Sequence, residues 1–213
     1  MQGYFPKSYY HGLADSGLGR KSDSKKYIKE ACVETLDQAI KAEAKGADRL
    51  ELCAYLAFDG LTPAPDLISE VIESVNIPVR VMIRPRNGNF VYNEDELEHM
   101  KACVEFCKKK GAEGVVFGVL HENNALNIEA IEMLTEAAKP LKVVIHKAFD
   151  NTPDLQEALT QLISIEGIDT ILTSGGKSNA FDGAENLKAL LKQAGTQIEI
   201  MPAGKITQFN LTE

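Results

Sequence analysis

Seven apolar runs of β-type sequence alternate with helix-type segments, and this alternation constrains the fold more than any other feature of the chain. The predicted strands are residues 27–33, 47–53, 78–83, 114–119, 141–146, 169–173 and 197–202. Most are nearly continuous in apolar residues, as expected for strands covered on both faces. Successive strands begin roughly 20 to 36 residues apart, which is the rhythm of β/α units. The sequence therefore predicts a parallel α/β fold, one strand short of a closed eight-stranded barrel.

Helix boundary signals fall between the predicted strands. A capping box at Thr35 to Gln38 begins the first helix. Asn93 and the acidic residues after it begin another, which is predicted to end in lysines before Gly111, so that the charges match the helix dipole at both ends. Thr152 and Pro153 predict a helix with Pro at its first position. These signals support the alternation of strands and helices.

Polar residues close several of the apolar runs. Glu51, Arg84 and His146 each lie at or just beyond the end of a predicted strand. The carboxyl ends of parallel strands meet at one face of an α/β protein, where such proteins build their sites. We therefore expect these side chains to line a common mouth.

The third strand ends at Pro85, which stands between two arginines. Because Arg84 and Arg86 are two positions apart in extended chain, both can point to one side and clamp a phosphate or a carboxylate. The alternative is a structural ion pair with one of three carboxylates, those of Glu30, Glu51 and Asp150.

Catalytic roles are predicted for Glu51, His146 and Asp150. His146 would act as a general base or a ligand, and Asp150, four residues later, would orient it. Glu51 would move protons together with His146. The alternative for His146 is a hydrogen bond to a neighbouring strand end.

Two glycine-containing turns follow the last two predicted strands. Thr173, Ser174 and Gly175 come after the sixth strand, and Gly204 comes after the seventh. Their backbone N–H groups would bind an oxyanion. Ordinary turn formation is the alternative.

Composition excludes several classes of protein. A net charge of −8 argues against non-specific nucleic-acid binding. No apolar stretch approaches the roughly 20 residues of a membrane span, and the first residues lack the apolar core of a secretory signal. Four cysteines without a dense framework indicate free thiols in a reducing cytoplasm.

Six motifs resemble those of the CutC copper homeostasis family. They are residues 29–34 (KEACVE), 46–53 (GADRLELC), 60–63 (GLTP), 83–86 (IRPR), 146–150 (HKAFD) and 172–176 (LTSGG). They follow the family's order from about residue 27 to residue 207. The resemblance implies a TIM-type barrel and a cytoplasmic protein linked to copper handling.

The resemblance also implies that a seventh helix and an eighth strand should follow residue 207. Residues 1–14, with 8–11 as the strand, are the candidate for that eighth strand displaced to the front of a single domain, and residues 15–26 are the candidate linker. We therefore predict a circularly permuted barrel. The alternative is an unrelated amino-terminal extension. A missing or displaced strand would also favour a homodimer or strand swapping.

Two cysteines end the first two predicted strands, and adjacent strands lie about 5 Å apart. Cys32 and Cys53 could bind Cu(I), which prefers soft ligands, and the resemblance makes copper the natural metal. The alternative is that both are small apolar core residues. Cys103 and Cys107 share one helical face with apolar residues, which predicts core packing.

Two functions are left open by the sequence. The first is copper homeostasis with Cu(I) bound by Cys32 and Cys53. The second is an enzyme or binding protein for a small phosphorylated or carboxylated metabolite, held by Arg84 and Arg86 at the mouth.

Overall fold

A computed structural model describes residues 10, 11 and 28–207, with the backbone alone for residues 10 and 11. The strands are β1 (Tyr10–His11), β2 (Glu30–Val33), β3 (Arg49–Leu52), β4 (Val79–Met82), β5 (Gly114–Phe117), β6 (Lys142–Ile145), β7 (Ile168–Thr173) and β8 (Glu199–Pro202). The helices are α1 (Leu36–Ala44), α2 (Pro65–Ser74), α3 (Glu94–Lys110), α4 (Ile128–Ala138), α5 (Leu155–Ile163) and α6 (Ala184–Ala194). Short 3-10 helices span Leu56–Phe58 and Lys147–Asn151.

The strands from β2 to β8 run parallel and pair in sequence order, with one α-helix between each strand and the next. These seven strands form a curled half-barrel. This confirms the α/β, TIM-like fold, and each predicted strand is present with its ends shifted by a few residues.

The short strand β1 pairs with the edge of β2, where a displaced eighth strand was expected. The pairing is antiparallel, with Tyr10 opposite Ala31 and His11 opposite Glu30. The eighth strand of a β/α barrel runs parallel to the first, and moving it to the front of the chain would not reverse it. The pairing therefore does not support the predicted circular permutation. The rest of 1–14 and the candidate linker 15–26 lie outside the described residues.

The helix ends follow the predicted caps with two exceptions. Thr35 Oγ1 accepts from the backbone N–H of Gln38, but Gln38 Oε1 accepts from the Glu34 N–H, so only half of the predicted capping box forms. Asn93 forms a complete capping box. Gly111 ends α3 in the left-handed region at φ 82°. The cap of α5 is Asp154 rather than the predicted Thr152, because the Asp154 carboxylate accepts two of the first free N–H groups. No helix in the described part of the chain is long and apolar enough to cross a membrane.

The two faces of the sheet bury different residues, because side chains alternate along each strand. Outward residues such as Leu50, Val81 and Ile145 pack beneath the helices in the main core. The inward residues form a second, smaller cluster: Cys53, Met82, Val116, Val144, Leu172, Met201 and Ala203. Arg84, His146 and Ser174 each lie two positions beyond one of these residues, at the carboxyl end of the curl, and Arg80 and Thr170 each lie two positions before one, at the amino end.

Candidate functional site

A buried ion network occupies the amino-terminal end of the strands. The Glu30 carboxylate accepts from Arg49 Nε and lies 4.0 Å from Arg80 Nη1. Arg80 also donates from Nε to Glu113 Oε2 at 2.7 Å and from Nη1 to Thr170 Oγ1 at 3.4 Å. Buried charges persist only with such partners. Glu30 therefore stabilises the fold, away from the mouth at the carboxyl ends of the strands.

The two strand-end thiols lie beside Glu51. Cys32 Sγ donates to Glu51 Oε1 at 3.2 Å, and Cys53 Sγ lies 3.7 Å from the Val33 carbonyl oxygen. Burial raises the pKa of both thiols well above the ordinary value, and the negative charge of Glu51 raises each further. Cys53 also raises the pKa of Cys32, so the two sulfurs lie within electrostatic reach of each other. Cys32, Glu51 and Cys53 therefore lie together in the structure, as expected from their positions at the ends of adjacent strands.

Two thioethers share the interior cluster with Cys53. Met82 and Met201 are both buried. Gly60 lies against both the Cys53 thiol and the Met82 side chain. A Cβ atom at this position would be 3.4 Å from Cys53 Sγ and 3.5 Å from Met82 Cε. The sequence analysis missed both methionines. The available signal was spacing, because Met82 is two positions before the inward Arg84.

The Arg84 side chain donates hydrogen bonds to two loops at the mouth. Its Nη1 donates to the carbonyls of Phe58 at 2.7 Å and Gly60 at 3.2 Å, and its Nη2 donates to the carbonyl of Gly88 at 3.2 Å. The guanidinium carbon lies 4.9 Å from the ring centroid of Phe90. Its Nε has no acceptor among the described residues. The side chain is thus buried and pre-positioned, with one N–H to spare.

Arg86 is committed to its own loop and to α3. Its Nε pairs with Glu96 Oε1 at 2.5 Å, and its other nitrogens donate to Asn89 Oδ1 at 3.0 Å and to the Val91 carbonyl at 2.6 Å. These contacts favour the structural alternative, although its partner is Glu96 and not one of the three predicted carboxylates. The contacts of Arg86 therefore count against a clamp shared with Arg84, and anion binding by these arginines stays a prediction.

His146 is a buried, neutral hydrogen-bond donor. Its Nδ1 accepts from the Ala148 backbone N–H at 3.2 Å, so the proton of the neutral ring is on Nε2, which has no acceptor among the described residues. Burial, and then the charge of Arg84, lower the pKa of His146 to about 4, and Glu51 opposes this. The Phe90 ring lies 5.0 Å from the imidazole. His146 and Arg84 therefore meet around Phe90.

The predicted oxyanion turn is filled by the chain itself. Asp150 Oδ1 accepts from Thr173 Oγ1 at 2.5 Å and from the Gly176 N–H at 2.8 Å, while Oδ2 accepts from the backbone and hydroxyl of Ser174. The Gly175 N–H donates to Thr173 Oγ1 at 2.9 Å. Asp150 therefore holds this turn closed, which favours a structural role over the predicted one of orienting His146.

Gly204 packs against the same turn. It adopts φ 96°, and a Cβ there would lie 3.4 Å from both Lys147 Nζ and Ser174 Cβ. Its carbonyl accepts from the Ala180 N–H at 3.1 Å. The contacts of Gly204 thus describe a turn that supports the loop after β7.

The remaining cysteines belong to the core, as predicted. Cys107 is fully buried in the main core and Cys103 packs against it. Burial raises the pKa of Cys107 to about 12. Across residues 28–207, no three His, Cys, Asp or Glu side chains are grouped so that they could hold a metal ion.

Comparison with known proteins assigns the family. A sequence model of the CutC family matches residues 27–213. The chain belongs to the CutC family. The human copper homeostasis protein cutC homolog is 42% identical over 193 residues, covering 91% of this chain and 70% of the human one. A CutC protein of Histophilus somni is 41% identical over 184 residues, covering 86% of this chain and 75% of its own.

A solved CutC structure has the same fold. The crystal structure of a protein assigned as copper homeostasis protein CutC from Streptococcus agalactiae superposes with a TM-score of 0.75 at 36% identity. The match covers 80% of this chain and 84% of that one. The copper homeostasis family and the TIM-like fold expected from the sequence are both confirmed.

Proposed function

We propose that this CutC protein binds Cu(I) as its cargo through Cys32 and Cys53. The observation that carries the proposal is the convergence of two buried thiols at the carboxyl ends of adjacent strands, beside Glu51. Its relatives are named copper homeostasis proteins. Thiolate and thioether sulfurs select Cu(I) over harder ions.

The charges of the site fit a cation. Both thiols resist ionisation because they are buried beside the negative charge of Glu51. A bound Cu(I) supplies the missing positive charge and displaces the thiol protons, as metals do at thiolate sites. Cation binding thus relieves the repulsion that keeps both thiols protonated.

The ligand set fits a low coordination number. Cys32 and Cys53 supply two soft sulfur donors, and Cu(I) prefers soft ligands such as thiolates. The Met82 thioether beside Cys53 offers a third soft donor. Among the described cysteines, Cys53, Cys103 and Cys107 are thiols outside any disulfide, which supports the expected cytoplasmic location, where thiols stay reduced.

A competition titration tests the proposal. Wild-type protein is titrated with Cu(I) against a chromophoric Cu(I) chelator, beside Cys32→Ser, Cys53→Ser and the control Cys103→Ser. Wild type and the control should withdraw copper from the chelator, and the two site variants should lose that ability. Equal copper affinity in all four proteins would remove Cys32 and Cys53 as ligands.

A further inference from the structure

We propose that Arg84 Nε and His146 Nε2 form a binding site for the carboxylate group of a small molecule, separate from the copper ligands. Both side chains are 4% exposed. Each has one nitrogen donor without an acceptor in the described part of the chain. Buried donors are almost always satisfied by protein, by water or by a ligand.

The two donors belong to one place in the fold. Arg84 is two positions beyond the inward residue Met82, and His146 is two positions beyond the inward residue Val144. Both therefore continue the inner face of the curl at its carboxyl end. Phe90 contacts both, with 4.9 Å from its ring centroid to the guanidinium carbon and 5.0 Å between the two ring centroids.

The charge balance calls for an anion. Arg84 is buried, its guanidinium donates to three neutral carbonyls and acts on the neutral Tyr92 hydroxyl, and among the described residues it forms no salt bridge with a carboxylate. An unpaired buried cation is strongly unfavourable. Glu51 acts on His146 electrostatically, but it accepts from Cys32 and from neither orphan donor.

The charge and the number of hydrogen-bond donors at this site favour a carboxylate over a phosphate. The site offers one positive charge and one neutral donor, which match the single charge and two oxygens of a carboxylate. A phosphate requires more donors and more positive charge. The turn that could have supplied them is already filled by Asp150, and Arg86 is held by Glu96.

The test titrates copper-free, full-length protein with acetate, pyruvate and inorganic phosphate, and follows the His146 ring and Nε2–H resonances by NMR. Acetate and pyruvate should give saturable shifts, and phosphate should give weaker ones. Arg84→Lys removes the Nε donor and keeps the charge. His146→Asn removes Nε2 and keeps an acceptor for the Ala148 N–H; binding to this variant is followed by the ring resonances of Phe90, which contacts both Arg84 and residue 146. Each should weaken carboxylate binding by about tenfold or more, the effect of one hydrogen bond to a charged group.

Matched controls separate this site from the fold and from copper. Arg86→Lys makes the same change at the arginine committed to its loop, and it should bind carboxylates as wild type does. Carboxylate binding is measured without copper and copper binding is measured without carboxylates, so that the two proposals fail independently. The carboxylate site is overturned by any of three results: no saturable His146 shift in wild type, tighter binding of phosphate than of carboxylates, or a crystal structure in saturating pyruvate that holds only water between Arg84 Nε and His146 Nε2.

Discussion

The thiol of Cys32 donates to the carboxylate of Glu51 across adjacent strands, with Sγ and Oε1 3.2 Å apart. The two residues are in register between β2 and β3. Burial is the main cause of the raised pKa of both strand-end thiols, and the charge of Glu51 raises each pKa further. Glu51 therefore adds to the resistance of both thiols to deprotonation.

Removing the charge of Glu51 should lower the pKa of both thiols. In Glu51→Gln, Cys32 and Cys53 should be alkylated at lower pH than in wild type, although burial keeps both pKa values raised. Mass spectrometry resolves the pH profile of each cysteine. Cys107 is the internal control, because burial and Cys103 set its pKa. Unchanged profiles at Cys32 and Cys53 would show that Glu51 does not control them.

Removing Arg80 from the buried ion network at the amino-terminal end of the strands should destabilise the whole domain. Arg80→Met leaves Glu30 and Glu113 short of a partner, and loss of one member of a buried ion pair costs about 3–5 kcal/mol. Urea unfolding measures the loss. Lys188→Met, at an exposed pair with Glu185, should change stability little. Equal stabilities of the two variants would mean that the network contributes nothing.

Asp150 should prove to be a structural residue. Asp150→Asn replaces one acceptor oxygen by a donor that faces the N–H groups of Ser174 and Gly176. We expect a loss of about 1–3 kcal/mol and faster hydrogen exchange of those amides. Thermal unfolding and exchange NMR measure the two effects. Wild-type stability and exchange in this variant would instead favour the catalytic role predicted from the sequence.

His146 should make stability depend on pH. Its pKa is about 4 in the folded protein and near the ordinary 6.5 when unfolded. The unfolded chain therefore binds a proton first as pH falls. The free energy of unfolding is therefore highest above about pH 6.5. It should fall by about 3 kcal/mol between that pH and pH 4, because the unfolded chain takes up a proton on His146. Urea unfolding between these values should show the decline in wild type and a smaller one in His146→Asn. Parallel curves would contradict the assignment.

Much of the site could be predicted because strand ends converge in a parallel fold. That rule places Cys32, Glu51, Cys53, Arg84 and His146 at the inner face of the curl. Counting by two along β4 would also have found Met82. These inferences need only the chain direction and the alternation of side chains.

The roles of Arg86 and Asp150 could not be predicted, because they depend on tertiary partners. Arg86 pairs with Glu96 only because the loop between β4 and α3 turns back on itself. Asp150 enters the turn after β7 from the 3-10 helix after β6. Spacing in the sequence does not show which hydrogen-bond partners a loop side chain will have in the folded protein.

X-ray absorption spectroscopy of the Cu(I)-loaded protein tests the central claim most directly, because it reports the atoms bound to copper. We predict a first coordination shell of sulfur alone, in low coordination number, which is lost when Cys32 and Cys53 are both changed to Ser. A shell of nitrogen and oxygen, or a sulfur shell that survives this double substitution, would contradict the claim that these two thiols hold the copper.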